Sequence, residues 1–520
     1  MQSIWSFFLS STNIAFLTLV CLFIFAGCSS IVATTKDIKD PLALQSKPTP
    51  VFDPILTAIG TPYREKLKHN PTITGGMLVS DGLDAFLHRA YLARMAEKSI
   101  ILQTYIYKND LASRILMHEI WLAAQRGVIV KILIDDNGLD SDFSDIIALS
   151  SHPNIEVKIF NPYKNRSKIL RYPEMVFDFN RINHRMHNKL FIVDDIALII
   201  GGRNIADNYF DQNHHINFVD TDVLFIGKVA MEGKKNFYEY WNFHRSIPVS
   251  LLKFKTPLKK LKSSMESLKA NPQWVDYEEK INALIQKYKN KSFEVFWGNA
   301  VFIGDKPEKI QDSQAQKPIA KALAEILNFT HKNLYISAAY FVPSKEGIKR
   351  FKMLIDSGVD INILTNSLAS TDSLVVYSAW ERYRNTLIKE GANIYEYQYQ
   401  GRGKSKLRDK ISKSKASLHS KSIVFDDCIT WIGSFNLDPR STHLNTESVV
   451  IFDNPHFAKV LKADLMIDME NAWHVYDKNG KTFWEGDNEG QTEVFTYPPD
   501  TGIWTRILKT LAKILPESQI

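Results

Sequence analysis

Cysteine is scarce in this chain: among 520 residues it occurs only at Cys21, Cys28 and Cys428. If the N-terminal segment is removed, Cys428 has no partner, so an internal disulfide framework is excluded. Metal motifs are also lacking, because there is no HExxH and no paired cysteine set or carboxylate cluster at metal spacing. Neither GxxxxGK[ST] nor GxGxxG follows a strand. We therefore expect no metal, nucleotide or other cofactor.

Charge of one sign is not strongly in excess, since the formal net charge is only +7 over the whole chain. This value does not indicate a nucleic-acid-binding protein, but it suits an enzyme at an anionic lipid surface. The basic residues are nevertheless clustered ahead of His419. This cluster either gathers phospholipid headgroups or is simply solvated. It comprises Arg402, Lys404, Lys406, Arg408, Lys410, Lys413 and Lys415.

One pattern occurs twice in the chain. His187, Lys189 and Asp194 have the spacing HxKxxxxD, and His419, Lys421 and Asp426 repeat it. Each copy continues in the same register, to Gly201-Gly202-Arg203-Asn204 in the first and to Gly433-Ser434-Phe435-Asn436 in the second. A single HxK arises by chance, but two copies of the whole string do not. The repeat predicts two half-sites.

The residue types indicate phosphodiester chemistry. Histidine can attack phosphorus and can also protonate a leaving oxygen, because its ordinary pKa is near neutrality. Lysine and the asparagine amide are suitable donors to phosphate oxygens. Alternation along a strand places His187 and Lys189 on one face, and His419 and Lys421 likewise. If the copies pack about a pseudo-twofold axis, one histidine could form a phosphohistidine while the other moves protons.

These strings match the HKD motif of the phospholipase D superfamily at every defined position. The neighbouring sequences Gly201 to Phe210, Gly433 to Ser441, Leu444 to Glu447 and Leu364 to Leu368 resemble the bacterial cardiolipin synthases, and within them the C-type subgroup. The resemblance covers nearly everything from Gly75 to the C-terminus.

The resemblance implies a role for each matching residue. His187 would be the nucleophile and His419 the general acid and then base. The phosphate would be bound by Lys189, Lys421, Asn204 and Asn436, with help from Ser434. A carboxylate orients each histidine in this superfamily, which points to Glu447 and to Asp222. Asp194 and Asp426, although part of the motif, resemble structural more than reacting groups.

The predicted fold class is α/β, a duplicated phospholipase D-like fold of two α-β-α sandwich halves with the site at their pseudo-twofold interface. Strands are predicted at Ser99 to Tyr107, Val128 to Ile134, Asn333 to Phe341 and Val359 to Leu364, and helices at Phe86 to Ala96, Ser113 to Arg126 and Lys345 to Ser357. The expected division is a leader (1–28), a tether (29–74), the first domain (75–245), a basic surface linker (246–295), the second domain (296–475) and a C-terminal extension (476–520).

Both ends of the chain suggest a membrane. The apolar leader ends in Phe25-Ala26-Gly27-Cys28, which resembles a bacterial lipobox with Cys28 as the lipidated residue; an uncleaved anchor is the alternative. Ser29 after the cysteine favours outer-membrane sorting. Near the other end, residues 503–515 have the period of an amphipathic helix with a basic face. Such a helix either lies in a lipid interface or caps the core.

The favoured function is a membrane-associated phosphatidyltransferase of the bacterial cell envelope that makes cardiolipin from phosphatidylglycerol and a second phospholipid. An accessory membrane protein is a possible partner, and no nucleic acid is expected. Three alternatives stay open at this point: a hydrolytic phospholipase D or phosphodiesterase, a nuclease, and a non-enzymatic envelope binding protein.

Overall fold

The computed structural model describes residues 46–139, 143–164, 171–252, 258–312, 314–399, 415–488 and 491–514. The apolar leader with Cys28, and the basic cluster except Lys415, lie outside these residues. Within the described part of the chain, no helix is both long enough and apolar enough to cross a bilayer.

The first half is built on a mixed sheet whose centre is a parallel β-α-β unit. Its strand order is β1-β8-β6-β5-β2-β3-β4-β9, with β2, β3 and β4 parallel and the other neighbours antiparallel. In chain order the strands are β1 (Thr74–Val79), β2 (Ser99–Tyr107), β3 (Ile129–Leu139), β4 (Ile155–Phe160), β5 (Leu190–Val193), β6 (Ala197–Gly201), β7 (Ile216–Val219), β8 (Asp222–Gly227) and β9 (Ser246–Pro248).

The second half repeats this topology. Its strands are β10 (Phe296–Gly304), β11 (Asn333–Ala338), β12 (Asp360–Asn366), β13 (Asn393–Tyr397), β14 (Lys415–Leu418), β15 (Lys421–Phe425), β16 (Ile429–Gly433), β17 (Ser448–Asp453), β18 (Ala472–Lys478), β19 (Lys481–Asn488) and β20 (Gln491–Phe495). They lie in the order β10-β17-β16-β15-β11-β12-β13-β18-β19-β20. Eight positions therefore correspond strand for strand, and the predicted duplicated α/β fold is confirmed.

Helices connect the strands and cover the sheets. They are α1 (Arg64–His69), α2 (Gly82–Met95), α3 (Leu111–Gln125), α4 (Ser144–Leu149), α5 (Arg171–Phe177), α6 (Phe179–Asn183), α7 (Lys228–Trp241), α8 (Leu258–Lys269), α9 (Pro272–Lys289), α10 (Pro318–Asn328), α11 (Ser344–Asp356), α12 (Leu374–Glu390), α13 (Pro439–His443), α14 (Pro455–Glu470) and α15 (Ile503–Ala512). Gly127 and Gly358 follow α3 and α11 at positive φ of 100° and 91°, where glycine is favoured.

The two halves share one sheet and part of one core. Strands β1 and β10 pair antiparallel, with Thr74 opposite Gly298. Strands β7 and β14, one from each half, pair in parallel in a separate two-stranded sheet. Apolar side chains from both halves also form a common buried cluster, in which Phe225 meets Phe452 at a ring separation of 5.5 Å. The halves are thus fixed relative to each other, which a site at their interface requires.

Three segments that were predicted to lie outside the two domains contribute to packing. Part of the expected tether buries Ile59 and Leu67 against the first half. In the expected surface linker, α9 buries Tyr277, Ile281 and Leu284, and the Tyr277 hydroxyl donates to Glu119 at 2.9 Å. The C-terminal extension adds β19 and β20 to the second sheet. The composition of these segments predicts a tether, a surface linker and an extension, whereas their buried positions depend on surfaces supplied by distant parts of the chain.

Candidate active site

The two histidines of the repeat lie at the interface, each just before an equivalent strand. His187 precedes β5 and His419 precedes β15. Their backbone amides bond across to the opposite half, His187 N to Thr446 O at 2.8 Å and His419 N to Val219 O at 2.6 Å. The reciprocal bonds place the two half-sites in register about the pseudo-twofold axis.

A carboxylate from the opposite half orients each histidine. His187 Nδ1 is 2.9 Å from both carboxylate oxygens of Glu447, and His419 Nδ1 is 2.7 Å from Asp220 Oδ2. With Nδ1 donating to a carboxylate, Nε2 of each neutral ring is the nitrogen left to accept a proton or attack phosphorus. Neither half has a complete histidine-carboxylate pair of its own.

The prediction that Asp222 orients His419 is wrong, because Asp220 occupies that place. Asp222, the predicted residue, lies inside the first sheet, where Arg89 approaches it at 2.8 Å and Arg203 at 3.5 Å. Strand pairing aligns Gly201 with Asp222 and Gly433 with Val449. In that register Asp220 corresponds to Glu447. Sequence spacing alone does not reveal this correspondence. The loop that carries β7 makes the distance along the chain from Asn204 to Asp220 longer than that from Asn436 to Glu447.

Both motif lysines are buried beneath the histidines. Lys189 Nζ donates to His187 O at 2.6 Å, and Lys421 Nζ donates to His419 O. Burial lowers the pKa of both amines, that of Lys189 to about 7, and the charge of Lys421 lowers the pKa of Lys189 further. Two cations held close together in a dry site are a suitable arrangement for one anionic group.

Both histidines are neutral at neutral pH. Burial lowers the pKa of His187 to about 4, although Glu447 opposes the shift. Burial and the charges of Lys421 and Lys189 lower the pKa of His419 well below its ordinary value. An anion that offsets the lysine charges raises the pKa of either ring. The site thus favours a neutral nucleophile before the substrate arrives and a protonated histidine after it has bound.

The half-sites differ in how each carboxylate is held. Glu447 accepts hydrogen bonds from the Ser434 and Ser441 hydroxyls. Burial opposes its ionisation, but His187, Lys189 and Ser434 keep its pKa below the usual value. Asp220 has no such serine, because Gly202 stands in place of Ser434 and a β-carbon there would approach Asp220 Oδ2 to 2.4 Å. Burial raises the pKa of Asp220. Ser434 therefore supports Glu447 and does not line the cavity.

A cavity of about 640 Å³ opens over the two histidines. Asn204 and Asn436 lie in its wall. Asn204 Oδ1 accepts from Ile106 N at 3.0 Å, which leaves the amide nitrogen for the cavity side, beside the Tyr209 hydroxyl. The wall also contains residues for which no individual role was predicted: Tyr105, Phe179, Tyr209, Tyr340, Asp372, Val375, Val376, Asp438 and Arg440.

Aromatic rings pack against both histidines. Tyr105 contacts His187 edge-on at 5.3 Å between ring centroids, and Tyr209 contacts His419 at 5.2 Å. Tyr209 belongs to the string Gly201 to Phe210, which carries part of the family resemblance, so its position in that string was the available signal. Tyr105, at the end of β2, had none.

The motif aspartates lie at the far ends of β5 and β15. Asp194 accepts from the backbone amides of Glu97, Lys98 and Ser99, and Asp426 accepts from the equivalent three amides of residues 331–333. Neither aspartate reaches the cavity. Their geometry matches a structural role and not a reacting one. Within the described residues no group of side chains could hold a metal ion.

Comparison with known proteins agrees with the duplicated arrangement. The sequence model described as "Cardiolipin synthase, PLD-like domain" matches residues 91–241 and 323–469, one stretch in each half. The chain belongs to this family. The predicted resemblance to the phospholipase D superfamily and to its cardiolipin synthases is confirmed.

Relatives match over most of their length. Cardiolipin synthase C of Escherichia coli (strain K12) is 33% identical, with 86% of this chain and 96% of that protein covered. A Helicobacter pylori (strain ATCC 700392 / 26695) protein described as uncharacterized is 47% identical, with 97% and 99% covered. Among solved structures, phosphatidylserine synthase of Haemophilus influenzae Rd KW20 aligns with a TM-score of 0.54 and 14% identity over 86% of this chain and 97% of the other, which supports the fold.

Proposed function

We propose that the protein is a phosphatidyltransferase that forms cardiolipin from phosphatidylglycerol and a second phospholipid at a membrane of the bacterial envelope. The crossed pairs His187 with Glu447 and His419 with Asp220 carry this proposal, because they place two neutral imidazoles in the wall of one cavity. Lys189 and Lys421 are buried behind them, each bonded to the backbone oxygen of its histidine. The phospholipid substrate is inferred from membership in the family and from the name of the Escherichia coli relative.

In the first step His187 Nε2 attacks the phosphorus of the donor phospholipid. A nitrogen-phosphorus bond forms, the bond from phosphorus to the headgroup oxygen breaks, and His419, protonated at Nε2, gives its proton to that oxygen. Lys189 and Lys421 stabilise the charge that develops on the non-bridging oxygens. The headgroup leaves as a free alcohol, and the phosphatidyl group remains bound to His187.

In the second step a hydroxyl of phosphatidylglycerol attacks the phosphohistidine. Neutral His419 accepts the hydroxyl proton, the new oxygen-phosphorus bond forms, and the nitrogen-phosphorus bond to His187 breaks. The enzyme returns to its starting protonation state, and cardiolipin is released. Water in place of the hydroxyl would give phosphatidic acid.

The unequal carboxylates support this division of roles. A firmly ionised Glu447 makes the His187 ring more basic, and nucleophilic strength rises with basicity. Asp220, whose pKa is raised, supports the positive charge on His419 less well. A less basic imidazole is the better proton donor to a leaving alcohol.

Lipid analysis tests the reaction. The protein is expressed in cells that lack their own cardiolipin synthases, beside His187→Ala, His419→Ala and, as a matched control, His69→Ala on the exposed end of α1. We expect cardiolipin with the wild type and His69→Ala and none with the other two variants. A rise in phosphatidic acid without cardiolipin would favour the hydrolytic alternative, and unchanged lipids would contradict both lipid reactions.

Trapping tests the covalent intermediate. A phosphodiester with a good leaving group needs no general acid, so His419→Asn should accumulate the phosphorylated protein while His187→Asn should not. Mass spectrometry of the peptide that contains residue 187 measures the adduct. An adduct on His419 in His187→Asn, with none in His419→Asn, would reverse the two roles.

Attachment to the envelope through Cys28 remains a prediction from sequence. Metabolic labelling with a fatty acid should tag the wild type but not Cys28→Ser. If both are labelled, the lipid is attached elsewhere. An accessory membrane protein likewise remains a prediction.

A further inference from the structure

Helix α15 exposes its apolar side. The apolar residues along this side, here called the C-terminal apolar strip, are all substantially exposed, and the exposed fraction of Trp504 is 74%. A folded protein ordinarily buries such a face and leaves the charged face to water. The strip consists of Ile503, Trp504, Ile507, Leu508, Leu511 and Ile514.

The basic side of α15 is the side that contacts the protein. Lys509 and Lys513 form ion pairs with Glu381 of α12 at 2.6 and 2.7 Å. Ser378 Oγ donates to Lys509 O at 2.8 Å, and Arg382 donates to Lys513 O. Lys509 is consequently only 9% exposed. Specific polar contacts therefore fix the helix with its apolar strip outward, and the sequence expectation that it caps the core does not describe that strip.

Helix α15 is bound to α12, and α12 begins at the catalytic cavity. Ser373, Val375 and Val376 at the start of α12 line the cavity, and Ser378, which binds α15, is less than one helical turn further on. A second apolar surface borders the same cavity. This rim segment comprises Met175, Val176, Phe177 and Phe179, all exposed, and Phe179 itself lines the cavity.

We propose that the C-terminal apolar strip and the rim segment contact one lipid surface and present the mouth of the catalytic cavity to it. The inference rests on the proposed function, because a cavity that takes phospholipids must reach lipid. It also assigns the contact to named residues of the folded chain, separately from any N-terminal anchor.

The composition of the two surfaces favours lipid over protein. The charged residue within the rim segment, Asp178, is neutralised by ion pairs with Lys164 and Arg181, and Trp504 is of the residue type enriched at membrane interfaces. A helix of ten residues is about 15 Å long, which is short for a stable protein interface of about 800 Å² per partner. A second copy seated on both surfaces would also cover the mouth of the cavity.

Fluorescence of site-specific labels tests the contact in the full-length protein. Ile507→Cys and Phe177→Cys, each combined with Cys428→Ser, are labelled with a polarity-sensitive dye and reconstituted into vesicles of phosphatidylglycerol and phosphatidylethanolamine. Phe329→Cys, exposed by 76% at the end of α10, is the matched control. Labelling of the leader cysteines is subtracted with the chain that carries Cys428→Ser alone.

We expect vesicles to shift the emission of both test labels to the blue and lipids with brominated chains to quench them at least twofold more than the control. Equal quenching at all three positions overturns the proposal. A blue shift without vesicles also overturns the proposal, because another part of the protein then covers the label. If that shift grows with protein concentration, the covering part is a second copy of the chain. None of these readouts requires enzyme activity, and His187→Ala should give the same spectra, so failure of the proposed reaction would leave the test intact.

Activity provides a second arm. Trp504→Ser combined with Leu508→Ser should lower turnover of vesicle phospholipid at least fivefold and leave turnover of a short-chain phospholipid, below its critical micelle concentration, within twofold of wild type. The matched control Phe329→Ser should change neither. Equal loss on both substrates by a variant with wild-type melting temperature contradicts the role in lipid contact.

Discussion

Asp220 and Asp222 are separated by one residue, yet their carboxylates have different partners. Asp220→Asn removes the charge that orients His419, so we expect kcat to fall by about 10² to 10⁴-fold with little change in melting temperature. Asp222→Asn leaves Arg89 and Arg203 buried without their ion pair, which costs about 3–5 kcal/mol of folding stability. Steady-state kinetics and thermal melting separate the two effects. Loss of kcat at full stability in Asp222→Asn would contradict the assignment.

The buried lysine and histidine of the first copy predict a bell-shaped pH profile. With a phosphodiester whose good leaving group needs no proton from His419, the neutral form of His187 must attack, so kcat/KM should rise as pH increases through about 4. Lys189 must be protonated to bind phosphate, so kcat/KM should fall as pH increases through about 7. Lys189→Arg keeps its charge and should move the alkaline limb upward, whereas the exposed control Lys321→Arg should not. If the alkaline limb is unchanged in Lys189→Arg, the fall in kcat/KM is caused by the titration of another group.

Among the elements, those of the duplicated β-α-β units were the most predictable. The range predicted for β2, Ser99 to Tyr107, is the observed one, because a long apolar run at a sheet centre needs little context. Helices α2 and α3 start earlier than predicted since Asp81 and Asp110 cap them. Both caps are legible as aspartates before a helical pattern, so the sequence carried the information.

Elements outside the repeat were less predictable, because their burial depends on distant partners. The predicted linker is lysine-rich, which is typical of a surface segment. The apolar residues of its helix α9 nevertheless pack on α2, and Arg94 of α2 pairs with Glu278 of α9 at 2.9 Å. The carboxylate that orients His419 was equally hard to predict, because Asp220 is identified by strand register and not by sequence spacing.

Helix α9 should therefore stabilise the first half. Ile281 is fully buried, and Ile281→Ala should lower the free energy of unfolding by about 2–5 kcal/mol through lost contacts and a cavity. Lys280→Ala, one residue away and partly exposed, should change it by no more than about 0.5 kcal/mol. Chemical denaturation measures both. Equal stability of the two variants would contradict the stabilising role of α9 and support the predicted surface linker.

At the scale of the whole molecule, the candidate active site is also part of the interface that joins the two halves. Each histidine depends on a carboxylate across the interface, and the two lysines come from different halves. One bound anion can therefore bridge the halves. A ligand that binds only the folded protein stabilises it in proportion to the logarithm of its concentration, by about 2.7 kcal/mol at 100 times Kd.

Inorganic phosphate should raise the melting temperature of the wild type, and either Lys189→Ala or Lys421→Ala should abolish most of the rise, because a single anion needs both cations. The exposed control Lys321→Ala should keep the full rise, and sodium chloride at matched ionic strength should not reproduce it. If only one of the two site lysines matters, the anion binds within one half and the lysines do not converge on it. If each variant loses half of the rise and the double variant loses all of it, the halves bind separate anions, and a single bridged phosphodiester no longer describes the site.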